Sequence, residues 1–150
     1  MSPELLKETV SQMLTLLDAE VTSIDVTSGH RTVVVVSSPE SERLIGPDGE
    51  HLRALNSVAR RIIENKNGLE AASFLIDVNG YHEAQMERVR DSARMLAQRA
   101  RLFKHDVEME PMNSYERLVV HELFAEDPEI KTESAGEGKF RHIVLKHKTA

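Results

Sequence analysis

The chain has 150 residues, of which 40% are hydrophobic and 29% charged, with a formal net charge of −6 and no cysteine. That balance fits one ordinary folded domain or two small ones rather than a disordered chain, and the missing cysteines exclude disulfides, thiolate zinc sites and a cysteine nucleophile. No apolar run is long enough to span a bilayer and no basic-then-apolar leader opens the sequence, so the expected address is cytoplasmic, with no membrane partner.

Net negative charge argues against nonspecific attraction to phosphates, but the charge is unevenly spread. Tyr81 to Lys104 holds Arg88, Arg90, Arg94, Arg99, Arg101 and Lys104 against three acidic residues, and Glu50 to Lys66 holds four basic residues against two acidic ones. Any basic surface must therefore be local.

Pro3 followed by Leu6, Val10, Met13 and Leu17 predicts an amphipathic helix over residues 3–18. Thr22, Ile24 and Val26 alternate, Ser28-Gly29-His30 supplies a turn, and Val33 to Val36 form a strongly β-prone run. These segments predict a β-hairpin whose second strand is central and covered on both faces. Arg43-Leu44-Ile45 then leads as a short helical turn into Gly46-Pro47-Asp48-Gly49, after which Leu52, Leu55, Ala59 and Ile62 mark one stripe of a helix. Phe74, Ile76 and Val78 alternate as a third strand, and the long helical connection favours its parallel pairing with the second.

A helix–Gly-x-x-Gly–helix corner inside this α-β-β-α-α-β order resembles a KH domain of the type II arrangement over residues 1–79. Glycines allow close backbone approach to a nucleic-acid backbone, and the next helix offers unpaired N–H groups. The resemblance implies that Gly46, Pro47, Asp48 and Gly49 clamp a single strand. Related loops carry a basic residue where this one has Pro47-Asp48. The Asp48 carboxylate can repel phosphate or cap the following helix, with Arg43, Arg53 and His51 nearby to compensate. The alternative reading is a rigid corner that no longer holds RNA, leaving a protein-interaction module.

Gly80 separates the third strand from a long helix, about residues 81–104, whose buried stripe is predicted to be Val89, Ala93, Leu96, Ala100 and Phe103. So short a connection predicts two closely coupled domains. Val107 to Met109 predict a short strand. Asn113, just after Pro111, can cap a helix carrying Arg117 and His121 four residues apart on one face. Tyr115, Val119 and Leu123 lie roughly 160° to 240° round from Arg117, predicting that Arg117 and His121 face solvent, where their donors suit a phosphate oxygen. An exposed Arg and His can equally just solvate a helix. Ile130 to Ser134 and Phe140 to Leu145 flank Gly136-Glu137-Gly138 as a hairpin, placing Arg141 and Lys146 where they could extend a phosphate surface.

Residues 107–145 as a whole resemble the R-three-H domain, named for its Arg-x-x-x-His pair. Glu110-Pro111-Met112-Asn113, Tyr115-Glu116-Arg117, Thr132-Glu133-Ser134, Gly136-Glu137 and Arg141 are similar to the version in bacterial SpoIIIJ-associated (Jag) proteins. The resemblance implies an α+β chain: a type II-like KH domain (α-β-β-α-α-β, residues 1–79), then a small R-three-H domain (α-β-α-β-β, residues 80–150), without the family's N-terminal Jag domain. It implies a non-catalytic post-transcriptional regulator that binds single-stranded RNA, with single-stranded DNA as a further ligand and a small single-KH protein as a further partner. The candidate binding residues are Arg117, His121, Gly46, Pro47, Asp48, Gly49, Arg43, Arg53 and Arg141. No catalytic residue, metal or cofactor is expected. The P-loop, His-Glu-x-x-His and Gly-x-Ser-x-Gly signatures are absent, and the seven histidines are dispersed. A hydrolase using His121 as base and Arg117 for charge stabilisation would need a second acid–base group or a metal site, and the sequence offers neither.

Overall fold

A computed structural model describes residues 2–29, 31–68 and 73–148, and the chain divides into two units, Met1–His82 and Glu83–Ala150. In the first unit, the Ser2 hydroxyl accepts the Leu5 N–H at 3.2 Å and Pro3 opens helix α1 (Pro3–Leu16). Leu6, Val10, Met13 and Leu14 are buried along its length. Strands β1 (Ser23–Thr27), β2 (Thr32–Ser37) and β3 (Phe74–Val78) form a sheet in the order β1-β2-β3. β1 and β2 are antiparallel, and β2 and β3 are parallel with Val34 opposite Ile76. Parallel pairing is what the intervening helices α2 (Ser41–Ile45) and α3 (Glu50–Asn67) require. The turn before β2 was read through His30, which lies outside the described residues.

The expectation that β2 is covered on both faces holds for one face only. Val34 and Val36 are buried with Leu6 and Val10 of α1 and Ala59 and Ile63 of α3, whereas Val33 and Val35 are half-buried. One face therefore carries the core, and β-branched residues serve the other for their strand propensity. On α3 the predicted Leu52 and Ala59 are buried together with Ile63, while the predicted Ile62 and Leu55 pack at the margin. Asn56 ties α3 to the sheet. Its Oδ1 accepts the Ile76 N–H at 2.7 Å, and its Nδ2 donates to the Ile76 carbonyl at 3.0 Å. β3 is an edge strand, so this amide satisfies backbone groups that would otherwise be open to another strand.

The second unit is built on α4 (Tyr81–Phe103), which begins at the end of the first, followed by β4 (Val107–Glu108), α5 (Ser114–Leu123), β5 (Ile130–Ala135) and β6 (His142–His147). The sheet is antiparallel in the order β4-β6-β5. Ala93, Ala97 and Ala100 form the buried centre of α4 and join Val120, Phe124, Ile130, Ile143 and Leu145. Small side chains let a helix backbone lie close to the layer it covers. The predicted stripe overshot at its end: Phe103 is 62% exposed and stacks on His105. The hairpin also differs from expectation, because Gly138–Phe140 form a 3-10 turn and β6 starts only at His142. The chain is thus a mixed α+β protein with two small sheets.

Candidate nucleic-acid interface

The start of α5 is fixed by reciprocal bonds. Asn113 Oδ1 accepts the Glu116 N–H and Glu116 Oε2 accepts the Asn113 N–H, both at 2.9 Å. This capping box confirms Asn113 as the cap and adds Glu116 as its partner. Arg117, one residue on, donates from Nη1 to the Met112 carbonyl at 2.6 Å and from Nη2 to the Ser114 hydroxyl at 3.0 Å. The Met112 N–H in turn donates to the Arg141 carbonyl at 3.1 Å. Arg141 donates from Nη1 to the Gly136 carbonyl at 2.8 Å, closing the β5–β6 turn. Residue 112 therefore links Arg117 to the strand entry at Arg141.

His121 lies between two hydroxyls of β5, with Nδ1 2.6 Å from Thr132 Oγ1 and Nε2 3.2 Å from Ser134 Oγ. Strand alternation puts Thr132 and Ser134 on the same face as Ile130, the buried side. A hydroxyl can donate or accept, so this pair satisfies the ring whether one or both nitrogens carry a proton.

The sequence placed Arg117 and His121 opposite the apolar side, facing solvent. Both are instead half-buried. Val119, Val120 and Phe124 are the buried residues of this segment, so the inward direction is rotated toward Val120 and Phe124. Those two residues stand within about 60° of Arg117 at about 100° per residue, which leaves Arg117 and His121 on the flank of α5. Two of the five donors of Arg117 are used by neutral acceptors; its charge and remaining N–H groups are unspent.

The Gly46–Gly49 corner differs more from expectation. Asp48 is exposed and adopts φ +52°, and its side chain caps no helix. Its carbonyl accepts from Arg53 Nη1 at 2.7 Å. With the residue held left-handed by the turn, the carboxylate is left facing water. Both glycines answer to internal packing. At Gly46 (φ +72°) a Cβ would lie 2.4 Å from His51 Cγ, and at Gly49 (φ +75°) 2.9 Å from the Tyr81 hydroxyl. His51 is itself held, its Nδ1–H donating to the Arg43 carbonyl at 2.8 Å.

Arg43 does not serve the corner. Its guanidinium donates to the carbonyls of Leu17 and Asp18, closing the end of α1, and pairs with Glu40 at 3.3 Å. The Glu40 carboxyl is held below its usual range, chiefly by the Glu20 N–H and also by Arg43. Only Arg53 of the two arginines remains at the loop. Beside the corner runs an apolar groove of about 550 Å³, lined by Leu16, Leu17, Leu44, Leu55 and Val58 among others. The sequence did not show it, because Leu17 read as the end of an amphipathic stripe and Leu16 was given no place.

Of the six basic residues from Arg88 to Lys104, three pair with carboxylates, while Arg88 bonds to the neutral Gln85. Arg90 pairs with Glu83 at 2.9 Å and Glu87 at 3.0 Å, and Arg94 with Glu87 at 3.2 Å and Asp91 at 2.9 Å. Arg101 pairs with Asp127. The Glu87 carboxyl lies below its usual range because Arg94 and Arg90 bond to it. Burial pushes Asp127 upward, but the Glu129 N–H, Arg101 and the Ile130 N–H together outweigh it and hold it low.

Residues 85–147 match the R-three-H domain family. The chain carries an R-three-H domain. Among characterised relatives, RNA-binding protein KhpB of Clostridium symbiosum is 31% identical over 102 residues, covering 68% of this chain and 46% of the relative. RNA-binding protein KhpB of Bacillus subtilis (strain 168) is 30% identical over 115 residues, covering 75% and 55%. That of Lactiplantibacillus plantarum is 26% identical over 123 residues, covering 81% and 38%. The chain is homologous to these proteins and spans about half the length of the first two. In the R-three-H domain Arg117 and His121 are the Arg-x-x-x-His pair. Arg117 and the backbone of Arg141 are linked through Met112, His121 lies on Thr132 and Ser134 of β5, and Gly46, Pro47, Asp48, Gly49 and Arg53 form a separate corner in the first unit. Sequence reading missed Thr132 and Ser134 as partners of His121, although their i, i+2 spacing on one strand face was the available signal.

Proposed function

We propose that this chain is a non-catalytic RNA-binding protein whose principal contact is the R-three-H surface around Arg117, His121 and Arg141, acting on single strands as a post-transcriptional regulator. The observation carrying this reading is that Arg117 and Arg141 are held in place by neutral acceptors, Met112, Ser114 and Gly136. Each guanidinium therefore keeps its full positive charge and spare donors for phosphate. Homologues named RNA-binding protein KhpB support the ligand class.

The finer parts of the reading are ours as well. Residues 1–79 form a KH-like domain of the type II arrangement and residues 80–150 the R-three-H part. Support for the first comes from the α-β-β-α-α-β order, the parallel β2–β3 pair and the Gly-x-x-Gly corner between α2 and α3. The exposed Asp48 carboxylate makes this corner the weaker of the two contacts. Single-stranded DNA is a secondary ligand, a small single-KH protein a partner, and the setting is the bacterial cytoplasm.

The test is binding of labelled single-stranded RNA, single-stranded DNA and duplex across a salt series. Single-strand binding that falls with salt, without shortening of the RNA, is the expected result. No binding at low salt would overturn the reading, and shortened product would replace it with a nuclease.

A further inference from the structure

The four phenylalanines fall into two classes: Phe74 and Phe124 are buried, whereas Phe103 and Phe140 are 62% and 65% exposed. Phe140 is the last residue of the Gly138–Phe140 turn and directly precedes Arg141. Its backbone is tightly held. The Phe140 N–H donates to Glu137 at 3.1 Å, its carbonyl accepts from His142 Nδ1–H at 3.0 Å, and the Arg141 N–H donates to Gly138 at 3.2 Å. The ring joins no hydrophobic cluster. Lys139 Nζ stands over it, 5.3 Å from the centroid. Nothing in the turn needs a benzyl group, and exposing one to water is unfavourable. A rigidly mounted, solvent-facing ring flanked by Lys139 and Arg141, at the sheet end where Arg117 is linked in through Met112, matches what an unstacked base and its phosphate require.

We infer that Phe140 is a stacking platform for one base of single-stranded RNA. This rests on the proposed RNA-binding reading of the R-three-H surface and deepens it by assigning the source of strand selectivity. Phosphate contacts alone do not distinguish single strands from duplexes. A base in a duplex already has both faces stacked, so only a splayed single-strand base can lie on Phe140. The ring face away from Lys139 takes the base, and Lys139 and Arg141 meet the adjoining phosphates.

The sequence offers a direct probe, because the chain has no tryptophan. Phe140→Trp creates a sole indole on the platform. Phe103→Trp creates one at the other end of the sheet, where the Asp106 carboxylate accepts the His147 N–H. Affinity is read by anisotropy of a labelled single-stranded RNA, and stacking by quenching of the indole on addition of unlabelled RNA. Phe140→Ala is expected to weaken single-strand binding about tenfold while melting unchanged, since the ring packs on no core residue. Phe140→Leu is apolar without a π face and does not rescue. Phe140→Trp keeps wild-type affinity and is quenched, while Phe103→Trp is not.

If wild-type protein binds, Arg117→Ala weakens it, and yet Phe140→Ala binds like wild type with an unquenched Phe140→Trp, the stacking role is overturned and the RNA reading stands. If wild-type protein binds no single strand at all, the RNA reading itself fails and the platform falls with it.

Discussion

Replacing Arg117 by alanine tests the site and its architecture together. The side chain spends one N–H on the Met112 carbonyl at 2.6 Å and one on the Ser114 hydroxyl at 3.0 Å. A hydrogen bond from a charged donor contributes about 1.5–3 kcal/mol when its partner is left unsatisfied. Arg117 is half-buried, so water re-solvates much of what the truncation frees. The net loss of stability should be about 1 kcal/mol, which for a unit of this size lowers the melting temperature by about 4–8 °C. Loss of a charge-assisted phosphate contact adds a binding penalty of about 1–3 kcal/mol. The salt dependence should also fall by about one counterion. Polarisation of a labelled single-stranded RNA, measured well below the variant's melting temperature, separates binding from folding. Arg117→Lys should fall between the two proteins, because an ammonium keeps the charge but cannot span Met112, Ser114 and a phosphate at once. A folded Arg117→Ala protein with wild-type affinity and salt slope would refute the assignment.

Four further substitutions probe the frame of the two units. Gly46→Ala forces a Cβ to 2.4 Å from His51 Cγ, whereas Gly68→Ala, also at positive φ, meets nothing within 4 Å. Urea denaturation should show the first losing about 2 kcal/mol or more and the second about 1, and equal losses would sink the packing argument. His142 donates to the Phe140 carbonyl and to Glu108, in that order of weight, which raises its pKa. Its stabilising contribution is therefore full below the unfolded value of about 6.5 and is lost as pH rises through the higher folded value. His142→Gln should flatten that part of the stability–pH profile, and an unaltered slope would remove His142 as its cause. Asp48→Asn keeps a residue tolerant of left-handed backbone while deleting an exposed carboxylate that caps nothing. Melting should not change, and single-strand binding should tighten roughly two- to fivefold if the corner touches phosphate; unchanged affinity would confine the interface to the R-three-H surface.

The order and pairing of the elements were legible because the signals were local and redundant. Alternation at Ile24 and Val26, the run Val33 to Val36, and alternation at Phe74, Ile76 and Val78 each marked a strand. The helices between β2 and β3 dictated parallel pairing. Asn113 announced the start of α5. What escaped depended on rotation and partners. A stripe drawn through Leu52, Leu55, Ala59 and Ile62 cannot tell Ile62 from Ile63, which differ by about 100° on the helix. Only the neighbouring sheet decides between them. Arg43 looked like a loop contact because it precedes Gly46 in sequence, yet its guanidinium reaches back to the carbonyls of Leu17 and Asp18 at the end of α1. Asp48 looked like a cap because it precedes a helix, but the left-handed backbone of the turn directs its carboxylate away from the N–H groups. His121 looked free because the i, i+2 spacing of Thr132 and Ser134 marks a shared strand face but does not say which helix residue meets it across the loop.

Charge is where reading by composition misleads most. By count, α4 is the basic element and the net charge of −6 opposes nucleic acid. In the folded unit Arg90, Arg94 and Arg101 face carboxylates, and an ion pair presents little field to an approaching phosphate. Arg117 and Arg141 bond to carbonyls and a hydroxyl instead. A guanidinium oriented by neutral acceptors is as well positioned as one in a salt bridge but keeps its whole charge. Screening confines that charge to within about 10 Å at ordinary salt, so acidic residues elsewhere on the chain do little to cancel it. Arg88 of α4 also bonds to a neutral acceptor, Gln85, so retained charge alone does not rank the two surfaces. What the end of the β5–β6 hairpin adds is the fixed mounting of Arg117 and Arg141 on backbone carbonyls. On the proposed reading, that is where an acidic chain holds RNA.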